Sequence, residues 1–226
     1  MDADVSNKRV FVSHADRYMG PAIVEIFARE GAQVIADTSD LASDAACRNV
    51  INDAGVIDVL IVNLAASNHY GTLVSDLEEE AWRETFDLLV HPMHGLVRHT
   101  LPQMIDRKRG KVIVIGSATP LRPMGRLCAY SAARGAQISY VKSVGVEVAR
   151  HNVQVNLIAQ NWVENPAYYP PELQENPRFQ QNLRDQVPIQ RLATPEEDVS
   201  LALFLASDRS DFFVGQAIPF AGGWTT

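Results

Sequence analysis

The sequence predicts an α/β fold with one doubly wound, mostly parallel sheet of about six to seven strands and helices on both faces. Two observations lead there. Short runs rich in valine and isoleucine recur at 9–12, 33–36, 57–62, 111–115, 153–158 and 216–220, and they read as strands buried on both faces. Longer stretches of helical period lie between them at 22–30, 78–106, 128–150 and 195–206. Strand and helix therefore alternate, as parallel strands joined by crossovers require. With 226 residues, 46% of them hydrophobic, the chain can bury one full core and is expected to form a single domain over 1–226.

Taken from its start, MDADVSNKRV opens on acids without an apolar run of signal length, and no segment approaches about 18 uninterrupted apolar residues. A cytoplasmic protein with no membrane partner is expected. A formal net charge of −7 argues against nucleic acid, because phosphate recognition needs a clustered basic face. The one basic run, Arg107-Lys108-Arg109, precedes Gly110 at a helix end, where cations complement the exposed carbonyls. Cys47 and Cys128 form neither a CxxC nor a metal-ligand spacing.

The first strand runs into Ser13-His14-Ala15-Asp16-Arg17-Tyr18-Met19-Gly20. A dinucleotide fold places glycines in this turn so that amides and the helix N-terminus can approach a pyrophosphate. Of a Gly-x-x-x-Gly-x-Gly pattern only Gly20 is present, which serves close helix-to-strand packing, while His14 and Tyr18 fill the other two positions. Asp16 adds a negative charge where phosphates would lie unless Arg17 neutralises it. The turn argues against a nucleotide, and Tyr18 becomes a candidate pocket wall. Asp37 ends the second strand, where a ribose-binding carboxylate would stand. From there to Ile57 there is room for one helix and not for a further strand.

Of the later elements, the stretch 78–106 reads as one long helix. It carries His91, His94 and His99, which lack a third ligand at suitable spacing, so no metal is expected. The Pro-rich segment 165–177 reads as a loop after the fifth strand, at the sheet edge where such folds bind ligands. Thr194-Pro195-Glu196-Glu197 reads as a helix start, with threonine as cap, proline in the first turn and acids near the N-terminus.

Ser117 follows the fourth strand, and Tyr130 and Arg134 stand four apart on one face of the next helix. A tyrosine hydroxyl, with an ordinary pKa of about 10, is a poor base near neutrality, but a nearby cation favours its phenolate. Ser117 can hold a substrate hydroxyl or oxyanion. The three would form a general-base centre for an alcohol.

The KVIVIGS strand, the GSA, the YSAAR, RLATPEEDVSLALFLAS and the closing FAGGW together resemble the short-chain dehydrogenase/reductase superfamily, a Rossmann-like fold, over nearly the whole chain. The chain departs from that pattern where the cofactor would bind. The glycine turn is filled, the Asn-Asn-Ala-Gly segment reads Asn63-Leu64-Ala65-Ala66, and no asparagine occurs at 86–95. The catalytic lysine is Arg134, and the Pro-Gly after the fifth strand is Gln160-Asn161. These departures resemble the halohydrin dehalogenases, a cofactor-free offshoot that turns vicinal haloalcohols into epoxides and halide and opens epoxides with small anions.

That resemblance implies that Ser117 binds the substrate oxygen, Tyr130 is the base and Arg134 favours its ionisation. It places the halide near Gln160, Asn161 and Trp162, with Tyr18 opposite and Tyr169 nearby. It also implies a homotetramer. An NAD(P)-dependent oxidoreductase with an atypical cofactor site, or a non-catalytic binding protein of the same fold, remain open alternatives at this point.

Overall fold

The structure, a computed structural model, describes residues 4–68 and 70–226, so the first three residues of the N-terminal segment read above lie outside the described residues. Six strands, β1 (Arg9–Val12), β2 (Gln33–Ala36), β3 (Val59–Asn63), β4 (Gly110–Ile115), β5 (Val153–Gln160) and β6 (Ala217–Phe220), pair in parallel in the order β2-β1-β3-β4-β5-β6. The chain order reverses between β1 and β3, opening a crevice at the carboxyl edge of the sheet. A single helix, α2 (Asp44–Ala54), joins β2 to β3, and β2 is the sheet edge. The sheet is therefore the six-stranded version of the predicted fold.

Helices cover both faces. On one, α1 (Gly20–Arg29) packs against α8 (Pro195–Ala206) over Val10, Val12, Val59, Ile61 and Ile113. On the other, α2, α4 (His91–Arg107) and α5 (Cys128–Val148) cover Phe11, Leu60, Val62, Val112 and Val114, with α3 (Glu79–Leu89) packed on α5. Successive residues of one strand thus enter opposite cores, and so the central strands read as unbroken apolar runs. The edge strands β2 and β6 differ from the expectation, since both are part-exposed rather than buried on both faces.

Two further differences have local causes. The stretch 78–106 is not one helix. It breaks at Val90, because Pro92 has no N–H to continue the ladder and is instead accommodated in the first turn of α4. The segment 165–177 is not all loop. It contains the short α6 (Pro171–Gln174) and leads into α7 (Pro177–Gln186), capped by the Asn176 side chain on the Arg178 amide at 2.9 Å. The start of α8 matches its reading: the Thr194 hydroxyl accepts from the Glu197 amide at 3.3 Å, and the Glu197 carboxylate accepts from the Thr194 amide at 2.9 Å. Among the described residues, no helix is long and apolar enough to cross a membrane.

Asp198, on the first turn of α8, is wholly buried and neither carboxylate oxygen has a partner among the described residues. Burial pushes its carboxyl up to about 7. The folded protein then holds a proton there that the unfolded chain, titrating at about 3.9, has released. Stability contributed at this site is present below about pH 4 and is lost as pH rises toward 7. Asp198→Asn should therefore gain on the parent by roughly 1 kcal/mol per pH unit across that window. Urea denaturation of both proteins at several pH values checks this, and parallel pH curves would contradict it.

Candidate active site

The crevice at the carboxyl edge of the sheet is a cavity of about 570 Å³. All eight residues picked from the sequence line it: Ser117, Tyr130, Arg134, Tyr18, Gln160, Asn161, Trp162 and Tyr169. Gly116 carries the chain out of β4 so close to β5 that a Cβ there would lie 2.6 Å from a Leu157 methyl. Ser117 follows, buried, its Oγ accepting from the Thr119 amide at 3.2 Å and lying 3.1 Å from the Thr119 hydroxyl.

Tyr130 and Arg134 face the crevice from successive turns of α5. The Arg134 guanidinium carbon stands 5.1 Å from the centre of the Tyr130 ring. Arg134 is only 3% exposed. Nη1 donates to the Ile115 carbonyl at 3.1 Å and to Gln137 Oε1 at 3.0 Å, and Nη2 donates to the Leu64 carbonyl at 3.0 Å. The guanidinium thus ties the ends of β3 and β4 to α5.

Aromatic groups form the walls. Tyr18 stacks on Tyr168 with ring centres 5.9 Å apart, and Trp162, Tyr169 and Phe179 form a cluster with centres 5.8–6.2 Å apart. Burial, with a smaller contribution from Tyr130, pushes the Tyr169 phenol up to about 12. Burial pushes Tyr168 further still, with the Tyr130 oxygen adding to the shift and Arg134 opposing it. Tyr168 donates to the Ala66 carbonyl at 3.2 Å. The sequence reading singled out Tyr169, while the structure brings both neighbours to the cavity. It also brings Phe179, Asn182 and Gln186, which that reading missed. The signal that could have found α7 was Asn176-Pro177, a cap followed by a first-turn proline as at Thr194-Pro195.

Gln160 ends β5, paired with Phe220, and Asn161 follows, its side chain accepting from the Trp162 amide at 3.0 Å. Trp162 has a left-handed backbone, with φ of 61°, and its buried indole N–H finds no acceptor among the described residues.

A model of the enoyl-(acyl carrier protein) reductase family matches residues 36–225. The chain is also 30% identical to dehydrogenase/reductase SDR family member 6 of Xenopus laevis, over 98% of each protein. The chain belongs to the short-chain dehydrogenase/reductase family. Among solved structures, this short-chain dehydrogenase/reductase is similar to a protein described as a dehalogenation enzyme, with a TM-score of 0.91 at 26% identity over 98% of this chain and 100% of that one. It is also similar to an L-sorbose reductase from Gluconobacter frateurii, solved with NADPH and L-sorbose, with a TM-score of 0.88 at 25% identity over 98% of each chain.

Within a short-chain dehydrogenase/reductase, the turn after β1 is where this chain departs most. His14 and Tyr18 have φ of 45° and 55°, left-handed values that favour glycine. At Gly20 a Cβ would lie 2.4 Å from the His14 carbonyl, so that glycine is required by close packing. The His14 imidazole is pushed down by burial and then by Arg17, and its Nδ1 is buried without a partner among the described residues. Asp16 and Arg17 pair at 3.3 Å on the surface. Asp37 follows β2, accepting from Ser39 at 2.7 Å. Among the described residues, no group of three or more His, Cys, Asp or Glu comes together to hold a metal.

Arg134→Lys should be costly in this short-chain dehydrogenase/reductase, because one ammonium cannot span the Ile115 and Leu64 carbonyls and Gln137. A buried acceptor left without its donor costs about 1–3 kcal/mol, which urea denaturation at pH 7 would register as a loss of stability.

Proposed function

We propose that this protein is a halohydrin dehalogenase. The observation that carries the reading is the commitment of Arg134. Its two terminal nitrogens donate to Ile115, Gln137 and Leu64 while Nε has no partner among the described residues, so its terminal fork is tied to the protein and its positive charge is left to the cavity. Such a charge beside the Tyr130 ring suits a reaction in which tyrosine takes up a proton.

In the proposed step Ser117 holds the hydroxyl of a vicinal haloalcohol, and the Tyr130 phenolate takes its proton. The oxygen attacks the neighbouring carbon from behind, the new C–O bond closes the epoxide, and the C–halogen bond breaks with its electron pair leaving as halide. The proton then passes to solvent. Run in reverse, a small anion opens the epoxide. The departing halide needs donors among apolar walls, so that it is neither stranded nor trapped. The indole N–H of Trp162, without an acceptor among the described residues, suits that role, and Gln160, Asn161, Tyr18 and Tyr169 line the same cavity.

A dinucleotide does not fit the residues of the first turn. The two left-handed positions at 14 and 18 carry an imidazole and a phenol where a glycine-rich turn would let backbone amides approach a pyrophosphate, and Tyr18 lines the cavity. The similarity in structure to the dehalogenation enzyme supports the same reading.

A second reading, an NAD(P)-dependent oxidoreductase, is favoured by the sequence relatives and by Asp37 after β2. Titration with micromolar NADH separates the two. Unchanged tryptophan fluorescence is the expected result, and saturable quenching would sink the dehalogenase reading. In a halide-release assay on a small 1-halo-2-alkanol, Tyr130→Phe should lower kcat by about 10²- to 10⁴-fold with circular dichroism unchanged. A fully active Phe variant would remove Tyr130 from the reaction.

A further inference from the structure

Arginine keeps its charge in a protein interior, because its proton is held too tightly to be shed. A buried guanidinium is therefore ordinarily matched with a carboxylate. Arg134 is not: every acceptor it meets is neutral, and among the described residues it takes part in no ion pair. The one side chain among these acceptors belongs to Gln137.

Gln137 stands one turn beyond Arg134 on α5 and is wholly buried at 0% exposure. Both ends of its amide are used. Nε2 donates to the carbonyl of Leu89, the last residue of α3, at 2.8 Å, and Oε1 accepts from Arg134 Nη1 at 3.0 Å. The first contact settles the orientation of the amide, since a carbonyl can only accept. The break between α3 and α4 thus supplies the anchor for the side chain that holds the guanidinium.

A glutamate has the same size and would bind Arg134 more strongly, but it would cancel the charge and surrender the donor to Leu89. We infer that Gln137 is a positioning residue that holds Arg134 in place and, by being neutral, leaves its positive charge uncompensated for the Tyr130 oxygen. The inference rests on the proposed role of Tyr130 as the base. Among the described residues, the other titratable groups lining this cavity are phenols: Tyr18 before α1, Tyr70 after β3, and Tyr168 and Tyr169 after β5. The residue's chemistry is that of a neutral spacer, where a counter-ion would be the stabilising choice.

The test compares the parent with Gln137→Glu and Gln137→Met, which share the loss of the donor to Leu89 but differ in charge. In Gln137→Glu, the acid limb of kcat/KM for halide release should move up by about one pH unit, leaving activity on that limb about tenfold lower and recovering at higher pH. In Gln137→Met the limb should stay in place while kcat falls. A Glu variant with the parent's limb and a uniformly lower rate would overturn the charge argument, and a Met variant with undiminished kcat would overturn the positioning role. A second readout is independent of turnover: the ultraviolet absorbance of phenolate, taken as the difference between each protein and its Tyr130→Phe counterpart. Its onset should come at higher pH in Gln137→Glu, and an unmoved onset overturns the inference. If the parent releases no halide yet the onset moves, the proposed dehalogenation fails while the role of Gln137 stands.

Discussion

A buried cation organises this site. Placing a guanidinium between two strand ends and a helix carries a desolvation cost of several kcal/mol, which only closely fitted acceptors offset. Arg134 meets that cost with the carbonyls of Leu64 and Ile115, the Gln137 amide and the face of the Tyr130 ring. Its two carbonyl partners lie at the ends of β3 and β4, so the sheet edge and the helix carrying the tyrosine are fixed together. The shape of the cavity follows from the same contacts that supply its charge.

The walls add selectivity to that arrangement. Several phenols share the cavity, yet burial holds Tyr168 and Tyr169 as neutral hydroxyls through the physiological range. The guanidinium lies against the ring of Tyr130. Burial thus disfavours ionisation of Tyr168 and Tyr169, while the proposed reaction uses Tyr130. Stacked rings also give the cavity apolar walls, beside which electrostatic effects gain strength as the dielectric falls.

Much of the fold was legible because its signals are local. Buried parallel strands are runs of Val and Ile, and all six strand readings fall within two residues of the observed limits at either end, β1 and β2 without any offset. The helix at Thr194 was readable from its cap and proline. The break at Val90 was less so, since a proline two residues on suits either a kink or a fresh start, and packing of α3 on α5 decides between them. The eight candidate residues that line the cavity were reached by different routes: Ser117, Gln160, Asn161 and Trp162 follow strand ends, Tyr130 and Arg134 stand four apart on one helix, Tyr18 lies in the turn after β1, and Tyr169 came from the family resemblance. Gln137 was not, because a buried amide carries no sequence signature. Its meaning comes from two partners, Arg134 on its own helix and Leu89 far away in the chain. Choosing between Tyr168 and Tyr169 likewise needed the fold of the loop, where adjacent residues face different neighbours.

The turn between β1 and α1 bears on how one chemistry could have replaced another. A left-handed backbone costs a non-glycine residue roughly 1–2 kcal/mol, and this chain accepts it at both His14 and Tyr18. The turn thus uses, at these two positions, backbone conformations that glycine adopts freely, with side chains attached. Returning glycine to those two positions would relieve strain rather than create it. Under the proposed dehalogenase function, side chains would fill a nucleotide cradle whose backbone conformation still suits glycine.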